Sequence, residues 1–374
     1  MAAARGNALK SLRVLALTKY CRLGASSRMR MLQYLPWFQE AGLDVTVQAL
    51  LGDNQLQARY GRGKYGSRAL LDAYAQRLKA LLGRHSFDVL WIEKEALQWW
   101  PLWTEQALLR GVPYVLDYDD AVFHSYDMHT NALVRHFFGR RLDGLMAGAH
   151  LVVVGNEYLA QRARSAGAPW VEVVPTVVDL ERYPASGAAK SSASDGLPRV
   201  VWIGSPSTVR YLQLIAATLQ TLARRRPFIL RVIGGGAVDI PGLRIEVVDW
   251  SEATEVKALQ SADVGVMPLE DTPWERGKCG YKLIQYMACG LPVIGSAVSA
   301  NNDIIVHGQT GMLVRSVDNW LESLEALLAD AALRQQMGQA GRVRAESLYC
   351  LQQTGPKLAG LLKKTIQGMD RCAE

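Results

Sequence analysis

The chain has 374 residues, long enough for two domains that each bury their own core. With 49% hydrophobic and 21% charged residues and no apolar run of about 18, the composition is that of a globular protein and excludes a spanning helix. The net charge of +7 comes without a compact Lys/Arg tail, which argues against nucleic acid and suits anionic substrates or an anionic membrane surface.

The first ten residues, MAAARGNALK, lack the apolar core of a signal peptide, and the expected location is the cytoplasm. Strands are expected at 13–18, 45–50, 89–92, 114–116 and 151–154, with helices at 28–41, 69–82 and 133–147 between them. A second series follows. Its strands are expected at 200–203, 230–233, 245–248, 264–267 and 292–294, and its helices at 211–225, 254–262, 281–289 and 319–329. This βαβα alternation predicts parallel sheets covered on both faces, since the apolar runs lack polar alternation. Between the two series, residues 184–198 (PASGAAKSSASDGLP) are small, polar and low in complexity, and read as a linker. A last helix is expected over 349–369. The five cysteines (Cys21, Cys279, Cys289, Cys350, Cys372) form no C-x-x-C pair, so neither a zinc site nor a disulfide frame is expected.

Both series open with a strand, a small-residue loop and a helix. Gly24 and Ala25 stand in the first loop, and Gly204, Ser205 and Ser207 in the second. Small residues let the backbone approach a ligand, and the free N–H groups of a helix start attract phosphate. Each loop alone also reads as an ordinary βα turn with a Ser/Thr cap. A third loop, IGGGAV with Gly234, is not a G-x-G-x-x-G fingerprint. In ERGKCGYKLIQYMACGLPVI, Lys278, Gly280, Tyr281 and Lys282 precede or open a helix that ends at Gly290. Lys278 and Lys282 are four apart, which suits a diphosphate clamp or a plain solvent-facing pair. LDYDDAVFH sets Asp117, Asp119 and Asp120 after a strand, where acids bind sugar hydroxyls, move protons or hold a metal, or merely cap and solvate. EALQWWPLW brings Trp99, Trp100 and Trp103 close together, with Arg59, Arg62, Lys64 and Arg68 upstream. That set fits peripheral contact with the inner face of an anionic membrane, or a helix packed on a sheet.

YKLIQYMACGLPVIGSAVSANNDIIVHGQTGMLV resembles the C-terminal signature of glycosyltransferase family 4, the retaining group 1 sugar transferases of the GT-B fold. VVPTVVDLERY, VVWIGSPS, ADVGVMPL and the opening RVLALTKYCRLGASSRMRML are similar to further segments of that family. The resemblance implies two Rossmann-like domains facing across a cleft, at 1–184 and 199–348, with the nucleotide-sugar donor mainly on the second and the acceptor mainly on the first. It implies that 349–374 cross back to the first domain. Donor contacts would come from Gly24, Ala25, Gly204, Ser205, Ser207, Arg210, Gly234, Lys278, Gly280, Tyr281, Lys282 and Gln285. Arg210 and Lys282 would stabilise the leaving diphosphate, and Asp119 or Asp120 would orient the acceptor hydroxyl. The acceptor would be a glycan, a lipid-linked sugar or a small molecule.

Five features depart from the family pattern. Its two glutamates fall on Gly277 and Gln285, with Glu275 close by; its diphosphate Arg and Lys fall on Ser205 and Arg210; and its histidine has no counterpart in DYDDA. The fixed positive charges predict that no metal or other cofactor is needed. An epimerase of the same fold and an inactive nucleotide-sugar binder are the alternatives.

Overall fold

The computed structural model describes residues 11–63, 65–185 and 196–370. Most of the expected linker, residues 184–198, lies outside the described residues, as does Lys64. The described strands form two six-stranded sheets. The first contains β1 (Leu12–Tyr20), β2 (Leu43–Leu51), β3 (Val89–Glu93), β4 (Tyr114–Tyr118), β5 (Leu151–Val154) and β6 (Val171–Val173). The second contains β7 (Arg199–Ile203), β8 (Ile229–Ile233), β9 (Arg244–Val248), β10 (Val264–Met267), β11 (Val293–Ser296) and β12 (Gly311–Val314). The spatial orders are β2-β1-β3-β4-β5-β6 and β12-β11-β10-β7-β8-β9, and every pairing is parallel.

Strands β3, β4, β5, β7, β8, β10 and β11 are buried along their whole length. Helices must therefore cover both faces, as the continuous apolar runs predict. The strand order reverses between β1 and β3 in one sheet and between β7 and β10 in the other. Ligands of open α/β sheets sit at such points, beyond the carboxyl ends of the strands.

Two compact units result. One comprises Met1–Gly155, Leu159–Val174 and Thr354–Glu374; the other comprises Asn156–Tyr158 and Pro175–Gln353. The segment after Val174 joins the second unit because Val178 pairs with Cys350, and because the buried Tyr183 bonds to Glu255 and Gln285. In the C-terminal helix, Leu351–Asp370, the part from Thr354 on groups with the first unit. Thr354 bonds the Tyr34 hydroxyl at 3.0 Å, and a Cβ on Gly355 would come within 2.6 Å of the Trp37 ring.

Two expected helices are interrupted. Residues 28–41 form a π-turn (Ser27–Met31), a 3-10 turn (Leu32–Tyr34) and a short α-helix (Leu35–Glu40) with Pro36 in its first turn, which has no N–H to continue the earlier ladder. Residues 133–147 divide at Gly139 into Ala132–Phe138 and Arg141–Gly148.

Candidate functional site

In the second unit, three sequence-predicted pieces meet around the buried Trp202 at the end of β7. A Cβ on Gly204 would lie 2.5 Å from the Trp202 ring, and one on Gly235 3.0 Å from it. The Lys282 ammonium stands 5.4 Å from the ring centroid. Gly234 has φ +73°, and a Cβ there would meet the Gly204 carbonyl oxygen at 2.7 Å. Only glycine lets the loops after β7 and β8 approach this closely. Ser205 and Ser207 hydroxyls bond each other at 2.8 Å, and Thr208 closes the turn by donating to the Ser205 carbonyl at 3.1 Å.

The loop before the helix Tyr281–Ala288 is fixed by a residue far away in sequence. Asn156 donates its side-chain amide toward the carbonyls of Gly277 and Lys278, both at 3.0 Å. Gly280 then adopts φ +64° and opens the helix, with its α-carbon against Ile304 and Asn301. The positive end of a helix dipole at such a start favours an anion.

Glu275 forms the acidic centre of the same region. It is buried, and its carboxylate accepts hydrogen bonds from the Tyr211 and Thr272 hydroxyls. Arg210 lies 3.9 Å from it, stacked on Tyr211 at 5.1 Å, with its own side chain 70% exposed. Burial pushes the Glu275 carboxyl up, but the Thr272 and Tyr211 hydrogen bonds and the Lys278 charge outweigh burial and hold its pKa below the usual range. A carboxylate thus stands among Arg210, Tyr211 and Lys278, two residues before Gly277. Gln285 is buried and donates its amide to the Tyr183 hydroxyl at 2.7 Å, within a network that reaches Glu255, Arg182 and Trp250.

In the first unit the acids have separate partners, and Asp117 lies within β4 rather than after it, with Asp119 and Asp120 following the strand. Asp117 is buried against Arg30 at 2.7 Å; burial pushes its pKa up to about 6 while Arg30 pulls it down. Asp119, with a side chain 12% exposed, pairs with Lys94 at 2.8 Å. Burial raises its pKa, and Lys94 more than cancels that, so Asp119 stays charged with a pKa below the usual range. Lys94, directly after β3, has φ +64°, a strained backbone for a residue with a side chain, and also reaches the Ser26 hydroxyl at 3.3 Å. Asp120 is half-buried, and its carbonyl accepts the Val122 N–H at 2.8 Å. Gly24 is buried, where a Cβ would meet Tyr20 at 2.4 Å, and Ala25 is exposed beside it. The sequence reading missed Lys94, Ser26, Asn156 and the bonded state of Glu275, because each acts through a partner distant in the chain or through a loop.

Trp99 is 50% exposed and Trp103 71%, while Trp100 is half-buried with its ring 6.2 Å from Tyr74. Trp99 also packs on Tyr126 and Phe138, and the helix that carries Phe138 exposes Leu133 and Phe137. No helix among the described residues is long and apolar enough to cross a membrane.

Two parallel Rossmann-like sheets, each with a small-residue loop at its switch point, define a fold of the GT-B type. The structure superimposes on a sucrose-phosphate synthase from Thermosynechococcus elongatus with a TM-score of 0.72 at 15% identity, covering 96% of this chain and 100% of that one. HepE from Anabaena, in complex with UDP and glucose, gives 0.69 at 14% identity, covering 94% and 100%. Residues 197–330, within the second unit, match the family model of group 1 glycosyl transferases. Among curated proteins, a D-inositol 3-phosphate glycosyltransferase of Pseudarthrobacter chlorophenolicus is 27% identical over 65% of this chain. The match spans 63% of that relative's length. A GDP-mannose-dependent phosphatidylinositol monomannoside mannosyltransferase of Mycobacterium tuberculosis is 25% identical, over 77% of this chain and 78% of its own.

Proposed function

We propose that the protein transfers a sugar, with retention and without a metal, from a nucleotide-diphosphate sugar to an acceptor hydroxyl. The observation that carries this reading is the packing of Gly204, Gly235 and Lys282 around Trp202 and of Gly234 against Gly204, with Arg210 and Lys278 beside Glu275 in the same unit. As the bond from the sugar carbon to the phosphate oxygen breaks, negative charge grows on the diphosphate. Fixed cations and a helix start stabilise that charge without reorganising. The acceptor oxygen forms the new bond on the same face, and its proton passes to the leaving phosphate oxygen. Asp119, held charged by Lys94, orients the acceptor hydroxyl. Glu275 is a positioning residue that sets Tyr211 and Arg210.

The acceptor is a polyol phosphate or a lipid-linked glycan, as the relatives acting on D-inositol 3-phosphate and on a phosphatidylinositol mannoside suggest. Exposed Trp99, Trp103, Leu133 and Phe137 favour peripheral contact with an anionic bilayer. An inactive nucleotide-sugar binder is the second reading, favoured by the missing carboxylate at Gly277 and the engaged amide of Gln285. The test is the anomeric configuration of the product by NMR, with and without EDTA. Retention with undiminished rate in EDTA supports the proposal. Inversion, or a rate abolished by EDTA and restored by a divalent cation, refutes the mechanism.

A further inference from the structure

Beyond the carboxyl ends of β1 and β2 the first unit holds a cavity of 670 Å³, of the size that takes a small organic ligand. Its floor is apolar, from Leu50 and Leu51, and Tyr65, Tyr74 and Trp100 form walls. Among the described residues, its charged lining groups are Lys19 and Arg59, both cationic, and no carboxylate lines it. Arg59 bonds the hydroxyls of Tyr65 at 2.9 Å and Tyr20 at 3.3 Å, and those two hydroxyls bond each other at 2.9 Å. Lys19 is half-buried, and among the described residues no carboxylate lies within ion-pair distance of its ammonium. The nearby acids Glu93 and Glu95 attract Lys19 and are bonded to other groups. One Glu93 oxygen takes the Lys19 backbone N–H at 2.8 Å and the Ser27 hydroxyl at 2.6 Å, and Glu95 is held by Arg141 and Tyr126. Burial, and then the like charge of Lys94, push the Lys19 pKa down. Glu93 and Glu95 offset part of that shift from beyond ion-pair distance. A half-buried cation without a direct ion pair gains from an incoming anion.

We infer that this cavity binds the phosphate ester of a sugar or cyclic polyol, with Lys19 and Arg59 on the phosphate and Tyr74 and Trp100 against the ring. A phosphomonoester carries between one and two negative charges, which matches two cations better than a carboxylate does. The aromatic pair, with centroids 6.2 Å apart, offers a flat apolar surface to the ring. The inference rests on the reading that the first unit takes the acceptor, and it names that acceptor's chemistry. The phosphate has two sources, a soluble phospho-sugar or a lipid headgroup that enters beside the exposed Trp99 at the cavity wall.

The test is titration of the full chain, followed by calorimetry, with myo-inositol 1-phosphate and glucose 6-phosphate against inositol and glucose. Co-sedimentation with phosphatidylcholine vesicles, with and without phosphatidylinositol, forms the second arm. The expected result is that the phosphorylated forms bind and the neutral ones bind at least about tenfold more weakly, the scale of one charged hydrogen bond. Lys19→Gln and Arg59→Gln should each remove most of that preference. Binding in the soluble arm identifies a free phosphate ester, and binding confined to phosphatidylinositol vesicles identifies a headgroup; both support the inference. Equal binding of phosphorylated and neutral forms, or a preference untouched by both variants, overturns it. Nucleoside diphosphate binding, measured in the same samples, keeps the two readings apart: its loss counts against the transferase proposal and leaves the cavity result standing.

Discussion

Arg210→Ala separates the binding role of the phosphate site from the stability of the fold. The Arg210 side chain is 70% exposed, its ion pair with Glu275 is long at 3.9 Å, and its stacking on Tyr211 is at the surface. An exposed pair of this kind contributes at most about 1 kcal/mol, and exposed cation–π stacking about 0.5–1 kcal/mol. The variant should therefore unfold within about 2 kcal/mol of the parent. Loss of a charged hydrogen bond to a diphosphate costs about 1.5–3 kcal/mol, roughly a 10- to 150-fold rise in Kd. Calorimetric titration with nucleoside diphosphates, beside a urea unfolding curve, measures both quantities. Unchanged affinity in a fully folded variant would refute the placement of Arg210 on the phosphate.

Three further outcomes are expected. Asp119→Asn should lower kcat far more than it changes donor Kd, because the donor is assigned to the other unit; equal losses in both would remove Asp119 from the acceptor role. Gly280→Ala should destabilise by at least about 1–2 kcal/mol from backbone strain at φ +64°, with a further cost because the new Cβ lies 2.2 Å from Ile304, and should weaken nucleotide binding; a neutral denaturation midpoint would contradict this. Glu95 is buried against Arg141 beside Glu105, and burial pushes its pKa up to about 7, with Arg141 pulling it down. A carboxyl whose pKa is raised in the fold contributes stability that is complete below the ordinary pKa of 4.5 and lost as pH rises through 7. Between about pH 5 and 7 the parent should lose stability through this group, and Glu95→Gln should flatten that slope; identical slopes would dismiss it.

What the sequence made legible follows from how each element is buried. β5 and β10 match their expected bounds because both are short apolar runs covered on two faces. β6 and β12, each at the edge of its sheet, were not expected: they have three and four residues, and much of each is only half covered. The 18-residue helix Ala331–Leu348 also escaped, because its buried positions include Gly338, Gly341 and Ala345, which give little apolar periodicity. Gly338 is where the helix backbone meets the Gly290 carbonyl, so a larger residue would not fit. In the candidate site, the glycine loops and Lys282 were readable as local patterns. The grip of Asn156 on Gly277 and Lys278, 121 and 122 residues on, and the Lys94–Asp119 pair were not, since tertiary structure alone joins them.

The central claim is sugar transfer from a nucleotide donor, and the most direct measurement is turnover of a panel of nucleotide sugars with and without phosphorylated polyol or lipid acceptors, followed by release of nucleoside diphosphate and by mass of the product. The account predicts slow release from one donor alone, faster release when an acceptor is present, and a product heavier than the acceptor by one glycosyl unit. A donor returned as its isomer, or a donor that binds without any release under every acceptor tried, would contradict it.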